Sequence, residues 1–231
     1  MERELVFDKR HLNDALAQPL SLVTSKPAWR GSDSANFAVF TEPPDAPGIA
    51  PLLKSLLGNV REAAEQDDLS ERYSSLVGDG LDRSRGTRVE REVWKDGTHS
   101  QRIQYRLIAT TAELAPIGYC TFAILTDQVS GFELEPEEVW AAPEWRGHGI
   151  GSAFAQIVAS IAVHTIGELD VRPADKVRFV LPFPVLVTGD VYSLSGQAFL
   201  FSVGAALSDT SHGVRWKAFS KIGRIEVEPR W

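Results

Sequence analysis

Apolar residues recur along this chain with two periods. Ile150, Ala153, Phe154, Ile157, Val158, Ile161 and Ala162 fall at the i, i+3, i+4, i+7 spacing of one buried helical face, and Gly167 marks the expected stop. The same period predicts a helix through Ile49, Leu52, Leu53, Leu56, Leu57 and Val60 and a short one over 8–18 with Leu12, Ala15 and Leu16 on one side. Two more are predicted over 70–77 and 196–207. Strands are predicted over 36–41, over 87–94 and 101–110 as a hairpin around Asp96-Gly97, and over 115–125 and 132–141. Pro136 marks the edge of the short run 137–141, and Pro143 ends it. A strand over 176–187 contains Pro182 and Pro184, which cannot both sit in a fully paired central strand, so a splayed or edge-like segment is expected. The chain closes with two predicted strands, 214–219 and 222–227, around Gly223. Segments 21–34, 78–86, 126–131 and 189–195 read as loops or turns.

Length and composition then narrow the classes. The 231 residues contain no internal repeat and no clean linker, which gives an N-terminal extension, 1–35, ahead of one domain, 36–231. A formal net charge of -7 argues against a general nucleic-acid binder, so no nucleic-acid partner is expected. The single cysteine, Cys120, excludes an intrachain disulfide and lies in an apolar run that suits a buried structural thiol. The first residues lack the basic-then-apolar pattern of a secretion signal, and no run of about 18 uninterrupted apolar residues suggests a membrane partner. A cytoplasmic protein is the expectation.

Chemistry concentrates where the predicted strand 132–141 meets the helix that starts at Ile150. Glycines at 147, 149 and 151 allow close backbone approach, and a helix N-terminus offers unpaired N–H groups and a positive dipole end. Together these make an anion site. No Gly-Lys-Ser/Thr is present, which sets aside a triphosphate P-loop. The dinucleotide fingerprint fails because its sixth position is Ser152 and no acidic residue follows about 20 residues on in a strand context. What remains is Arg-x-x-Gly-x-Gly, as Arg146, Gly149 and Gly151, preceded by Pro143-Glu144-Trp145.

With a strand before it and an amphipathic helix after it, this loop resembles the acyl-CoA pyrophosphate loop of the GNAT superfamily of N-acetyltransferases. The order of predicted elements over 36–228 resembles that fold as well. The resemblance implies an α/β (α+β) fold with a mixed, mostly antiparallel central sheet, flanking helices and a splayed fourth and fifth strand pair. It implies acetyl-CoA as co-substrate, with Val139 and Ala141 pairing with the pantetheine through their backbones. The N–H groups of Arg146, Gly147, His148, Gly149, Ile150, Gly151 and Ser152 would hold the pyrophosphate, and the Arg146 guanidinium would add a charge-assisted contact. The Val139 N–H would polarise the thioester carbonyl.

Acetyl transfer to an amine needs a base to take a proton and an acid to help the thiolate leave. Alternation along a strand puts Glu135, Glu137, Val139 and Ala141 on one face, with Glu138 and Trp140 on the other. One lineage of the superfamily has its base at the position of Glu135, and spacing in others favours Glu137; both stand as candidates. The tyrosine that many members carry four residues before a helical glycine is Leu200 here, ahead of Gly204, with Ser193, Ser195, Ser202 and Tyr192 the nearest hydroxyls. His148 is expected to meet the phosphate through its backbone rather than to act as a base.

No His-x-x-x-His or His/Cys cluster suggests a metal. Gly-x-Ser-x-Gly is absent, which removes a serine-nucleophile reading of Ser195. Arg83, Arg85, Arg88 and Arg91 read as a solvated charged face, and Trp140 and Trp145 as packing residues that flank the loop. The function expected is direct, ternary-complex acetyl transfer to a primary amine, small-molecule or peptide. The alternative is a GNAT-like module that binds acyl-CoA or a protein without turnover, motivated by Leu200. The acceptor lies beyond the sequence, and so does the oligomeric state, with a homodimer compatible with it.

Overall fold

The structure is a computed structural model, and it describes residues 9–23, 28–32, 35–42, 49–66, 81, 87–127, 131–172, 183–219 and 222–230. The helix expected over 70–77, most of the loop over 78–86, Arg83, Arg85 and Pro182 lie outside these residues. In order, the elements are α1 (Lys9–Leu16), β1 (Ala28–Ser32), β2 (Ala35–Thr41), α2 (Ile49–Gln66), β3 (Arg88–Val93), β4 (His99–Thr110), β5 (Pro116–Asp127) and β6 (Gly131–Ala141). A 3₁₀ turn (Pro143–Trp145) then leads to α3 (Ile150–Val171), β7 (Phe183–Asp190), α4 (Leu194–Ser211) and β8 (Ile222–Arg230).

Eight strands form one sheet in the order β1-β2-β4-β5-β6-β7-β8, with β3 also on β4. Pairing is antiparallel from β1 to β6 and parallel from β6 through β7 to β8. The 12-residue β4 carries two shorter strands end to end along one edge: β3 on its first half and β2 on its last four residues. At the join between them, the buried Arg106 guanidinium donates from Nε and Nη2 to the Glu42 carboxylate and from Nη1 to the Leu81 carbonyl at 3.0 Å. Removing one partner of such a buried pair costs about 3–5 kcal/mol, because the other charge is left without compensation.

Alternation gives the sheet two unlike faces. Ile103, Tyr105, Leu107, Cys120, Phe122, Ile124, Phe132 and Leu134 form the main core with Leu12 and Leu16 of α1, Phe154, Val158 and Ile161 of α3, and Leu200 and Val203 of α4. Each large side chain buried there contributes roughly 1.5–3 kcal/mol. On the opposite face a smaller cluster packs Leu56 and Val60 of α2 and Leu81 over Tyr119 and Trp140. Arg102, Gln104 and Arg106 of β4 lie on that face as well.

Several sequence expectations change. Segment 28–32, expected as loop, is β1, because it finds an antiparallel partner in β2. The described part of the strand expected over 176–187 begins at Phe183 and runs on through Asp190, into the segment expected as a turn. Gly167 does not stop α3, which continues to Val171 because Ile166, Leu169 and Asp170 are still buried. By length and composition alone α3 would cross a bilayer, but 67% of its apolar window is packed inside the protein, as in a core helix. Segment 214–219 is no strand: the backbone N–H groups of Lys217, Ala218 and Phe219 all donate to the buried Asp170 carboxylate, at 2.6, 2.8 and 2.6 Å. The closing hairpin is therefore a single strand, β8, parallel to β7.

The N-terminal segment joins the main core through Leu12, Ala15, Leu16 and Leu20. The Gln101 side chain accepts from the Leu20 N–H at 2.8 Å and donates to the Leu16 and Gln18 carbonyls, both at 2.7 Å. Arg172 binds the Gln18 and Pro19 carbonyls, and Arg91 donates to the Ala17 carbonyl at 2.6 Å. Arg91, expected on a solvated face, is thus a tie to the segment after α1.

Candidate active site

Among the described residues, β6 and β7 pair only at Phe132, Glu133 and Leu134 against Val185, Leu186 and Val187. Two residues on, Pro136 has no N–H to continue a ladder. There Gly189 comes so close that an added Cβ would fall 2.7 Å from the Pro136 carbonyl oxygen. Past that point β7 has no further pairing with β6, so 137–141 keep one edge free of any described strand. The run 137–141 is not a separate strand, since β6 passes through Pro136 unbroken.

The backbone along this edge has a defined direction. The Ala142 N–H donates to the Ile117 carbonyl of β5 at 2.9 Å. Successive strand residues point their backbone groups to opposite edges, so Trp140 faces β5 while Val139 and Ala141 face the open side. In keeping with this, the Ala141 carbonyl accepts from Nε of Arg146 at 3.3 Å.

Side chains here depart from simple alternation. Thr121 pairs with Glu138 but Phe122 pairs with Pro136, which leaves Glu137 as an extra residue in a β-bulge. The bulge resets the faces. Glu135 and Glu137 both reach Arg102 on the polar face, whereas Val139 and Ala141 pack against the main core. The expectation that these four residues share one face is therefore corrected.

The loop after β6 is bare. Gly147 and Gly149 hold φ of 81° and 86°, the left-handed region that glycine enters without strain. The Arg146 and His148 amides are engaged within the loop, by the carbonyls of Pro143 at 3.2 Å and Trp145 at 3.4 Å. Gly149 is the N-cap of α3, with no side chain to cap it. The amides of Ile150, Gly151 and Ser152 occupy the first turn, where the helix itself supplies no carbonyl four residues back. A Cβ placed on Gly147, Gly149 or Gly151 would meet nothing within 4 Å. Arg146, Gly147, His148, Gly149, Gly151 and Ser152 are exposed, while the Ile150 side chain anchors the turn in the core. Trp145 packs edge-on to Phe37 at 6.5 Å, and Trp140 lies beside Tyr119 under α2. His148 contacts the Arg146 carbonyl through Nδ1 at 3.2 Å.

Beside the open edge, the polar face carries a lattice of charges. Arg102 of β4 reaches over β5 to Glu135 at 3.3 Å and Glu137 at 2.6 Å. Gln104 donates to the second Glu137 oxygen. Arg230 of β8 binds the other Glu135 oxygen at 2.7 Å and Asp190 at 2.9 Å. Burial, with the charges of Glu135 and Asp127, raises the Glu133 carboxyl above its ordinary value against the opposing pull of Arg230 and Arg102. Burial pushes the Cys120 thiol far up, which removes it as a nucleophile.

Arg102, Gln104, Asp190 and Arg230 are site-lining residues that the sequence analysis missed. A signal for two of them was present. Arg102, Gln104 and Arg106 alternate with Ile103, Tyr105 and Leu107, which marks a strand with one polar face inside the protein.

The helix after β7 supplies no acid at the expected place. Leu200 is buried in the core with its methyl carbons over Gly189. The Ser193 hydroxyl caps α4 by accepting from the Gly196 N–H at 3.1 Å, with Ser195 3.0 Å away, and Ser202 donates to the Ala198 carbonyl. Tyr192 is exposed in the turn before the helix. Among the described residues no group of three or more His, Cys, Asp and Glu is arranged to hold a metal.

Comparison with known proteins gives a family. The model of the acetyltransferase (GNAT) family matches residues 69–178, which include β3, β4, β5, β6, the glycine loop and all of α3. No curated protein matches. Among solved structures, nourseothricin acetyltransferase shares 21% identity over 34% of this chain and 54% of its own, with a TM-score of 0.24. The match spans about half of that protein, and a likeness of this degree carries no argument about this one. Residues 69–178, with the glycine loop and the antiparallel strands ahead of it, thus match the acetyltransferase domain of the GNAT superfamily.

Proposed function

We propose that this protein transfers an acetyl group from acetyl-CoA to a primary amine, small-molecule or peptide, in a direct ternary complex. One observation carries the reading: an uncapped, glycine-lined helix N-terminus follows a strand whose outer edge over 137–141 has no strand partner among the described residues. An anion suits the first and an extended polar chain suits the second, and acetyl-CoA offers both in one molecule. Ile150, Gly151 and Ser152 would hold the diphosphate through their amides, with Gly147 and Gly149 giving room for it and Arg146 beside it. Val139 and Ala141 would pair with the amide-bearing arm.

Acetyl-CoA supplies an activated acyl carbon; the C–S bond breaks as the C–N bond forms. The incoming amine must first lose a proton, and Glu137 is a carboxylate at the start of the open edge, held by Arg102 and Gln104 on the polar face. Glu135 lies further back between two arginines and orients the lattice. The departing sulfur takes its proton from water, since Leu200 offers none.

The test measures thiol release from acetyl-CoA over a panel of amines. Glu137→Gln is expected to lower kcat by about 100-fold or more, the range of general-base catalysis, with acetyl-CoA affinity unchanged within about twofold. Tight CoA binding with no amine-dependent release above hydrolysis would replace this reading by the non-catalytic acyl-CoA module.

A further inference from the structure

We infer that Leu200 limits the length of the acyl group this protein accepts, so that the donor is a two- or three-carbon acyl-CoA. The inference rests on the acyl-CoA reading above and adds what its site discriminates. The free edge of β6 begins at an apex where Pro136 meets Gly189, one residue before β7 ends at Asp190. From there 137–141, roughly 16 Å at the rise of a strand, lead towards the loop and the uncapped turn of α3. A ligand held by its diphosphate at that turn and paired along this edge directs its free terminus at the apex.

The apex is closed on two sides. Within the sheet, the Gly189 Cβ position lies 2.7 Å from the Pro136 carbonyl oxygen. On the helix side, the same position lies 3.3 and 3.7 Å from the two methyl carbons of Leu200. Leu200 has no room to retreat. It is 3% exposed, and four residues on, α4 lies so close to β8 that a Cβ on Gly204 would fall 2.6 Å from Val227 Cγ2. Extra methylenes would therefore overpack a filled corner, a change that weakens binding by about tenfold or more. The residue that stands where many family members carry a tyrosine thus acts here as a wall.

Calorimetric titration of the full chain with CoA and with acetyl-, propionyl-, butyryl- and hexanoyl-CoA tests this without knowledge of the acceptor. The wild type is expected to bind CoA and acetyl-CoA within about threefold of each other, and butyryl-CoA at least about tenfold more weakly. In Leu200→Ala, butyryl-CoA is expected to return to within about threefold of acetyl-CoA, with CoA itself unchanged. Where thermal melting shows that this variant does not fold, Leu200→Val serves, with partial recovery expected for butyryl-CoA. A wild type that binds all four thioesters equally, or a folded variant with an unaltered ladder, overturns the inference and leaves the acyl-CoA reading standing. If none of the five compounds binds, CoA included, the reading itself fails and the inference with it.

Discussion

Two strand-to-helix crossings stand side by side in this sheet, and they end differently. After β7, Ser193 closes the first turn of α4 by accepting from the Gly196 amide, the usual way a protein satisfies a helix start. After β6, the equivalent place is Gly149 in a left-handed conformation, and no side chain covers the turn of α3. With glycine at the N-cap, forgoing a side-chain cap costs only about a few tenths of a kcal/mol. On the function proposed above, the crossing without a side-chain cap is the one left for an external acceptor of hydrogen bonds.

The contrast can be broken by giving α3 what α4 has. Gly151→Asp places a carboxylate in the first turn, where the dipole favours it, so melting temperature is expected to hold or rise. CoA affinity, measured by calorimetry, is expected to fall about 30-fold, the equivalent of about 2 kcal/mol of like-charge opposition. A variant that keeps its affinity would show that the turn of α3 holds no anion. The converse change sharpens the comparison. Ser193→Ala is expected to lose about 1 kcal/mol, or roughly 2–4 °C in Tm, with CoA affinity unaltered. Loss of affinity there would mean that the two crossings are not separable.

The smallest effect concerns the zipped half of β6, set against its open half. Glu133 lies where β6 and β7 still pair, and its carboxyl is raised. A raised carboxyl binds its proton more firmly in the folded protein, so it adds stability at low pH that is lost as pH climbs through the folded value. Over about pH 4 to 6, the Tm of the wild type is therefore expected to fall relative to Glu133→Gln. Parallel curves would show that the zipped half does not bury this group.

Much of this site could be read from the sequence, and the reasons are local. Glycines at 147, 149 and 151 between a strand and an amphipathic helix mark the loop, because backbone geometry within seven residues decides it. Pro184 sits at a register shift between β7 and β8, whereas pairing with β6 stops at Pro136 and Gly189, one by a missing donor and one by close approach. What escaped the sequence was decided by partners far along the chain. The faces around Glu137 depend on a bulge created by the register with β5. Segment 214–219 has a strand's composition, but its amides go to Asp170, more than 40 residues earlier. Segment 28–32 becomes β1 only because β2 lies beside it.

Asp170 has one further consequence. A carboxylate near the C-terminal end of a helix opposes the dipole, but three amides from the segment before β8 neutralise it, and α3 is thereby moored at its rear. On the function proposed above, the entropy of fixing the donors at its prow is spent when the chain folds, so an arriving phosphate would meet a harbour already built.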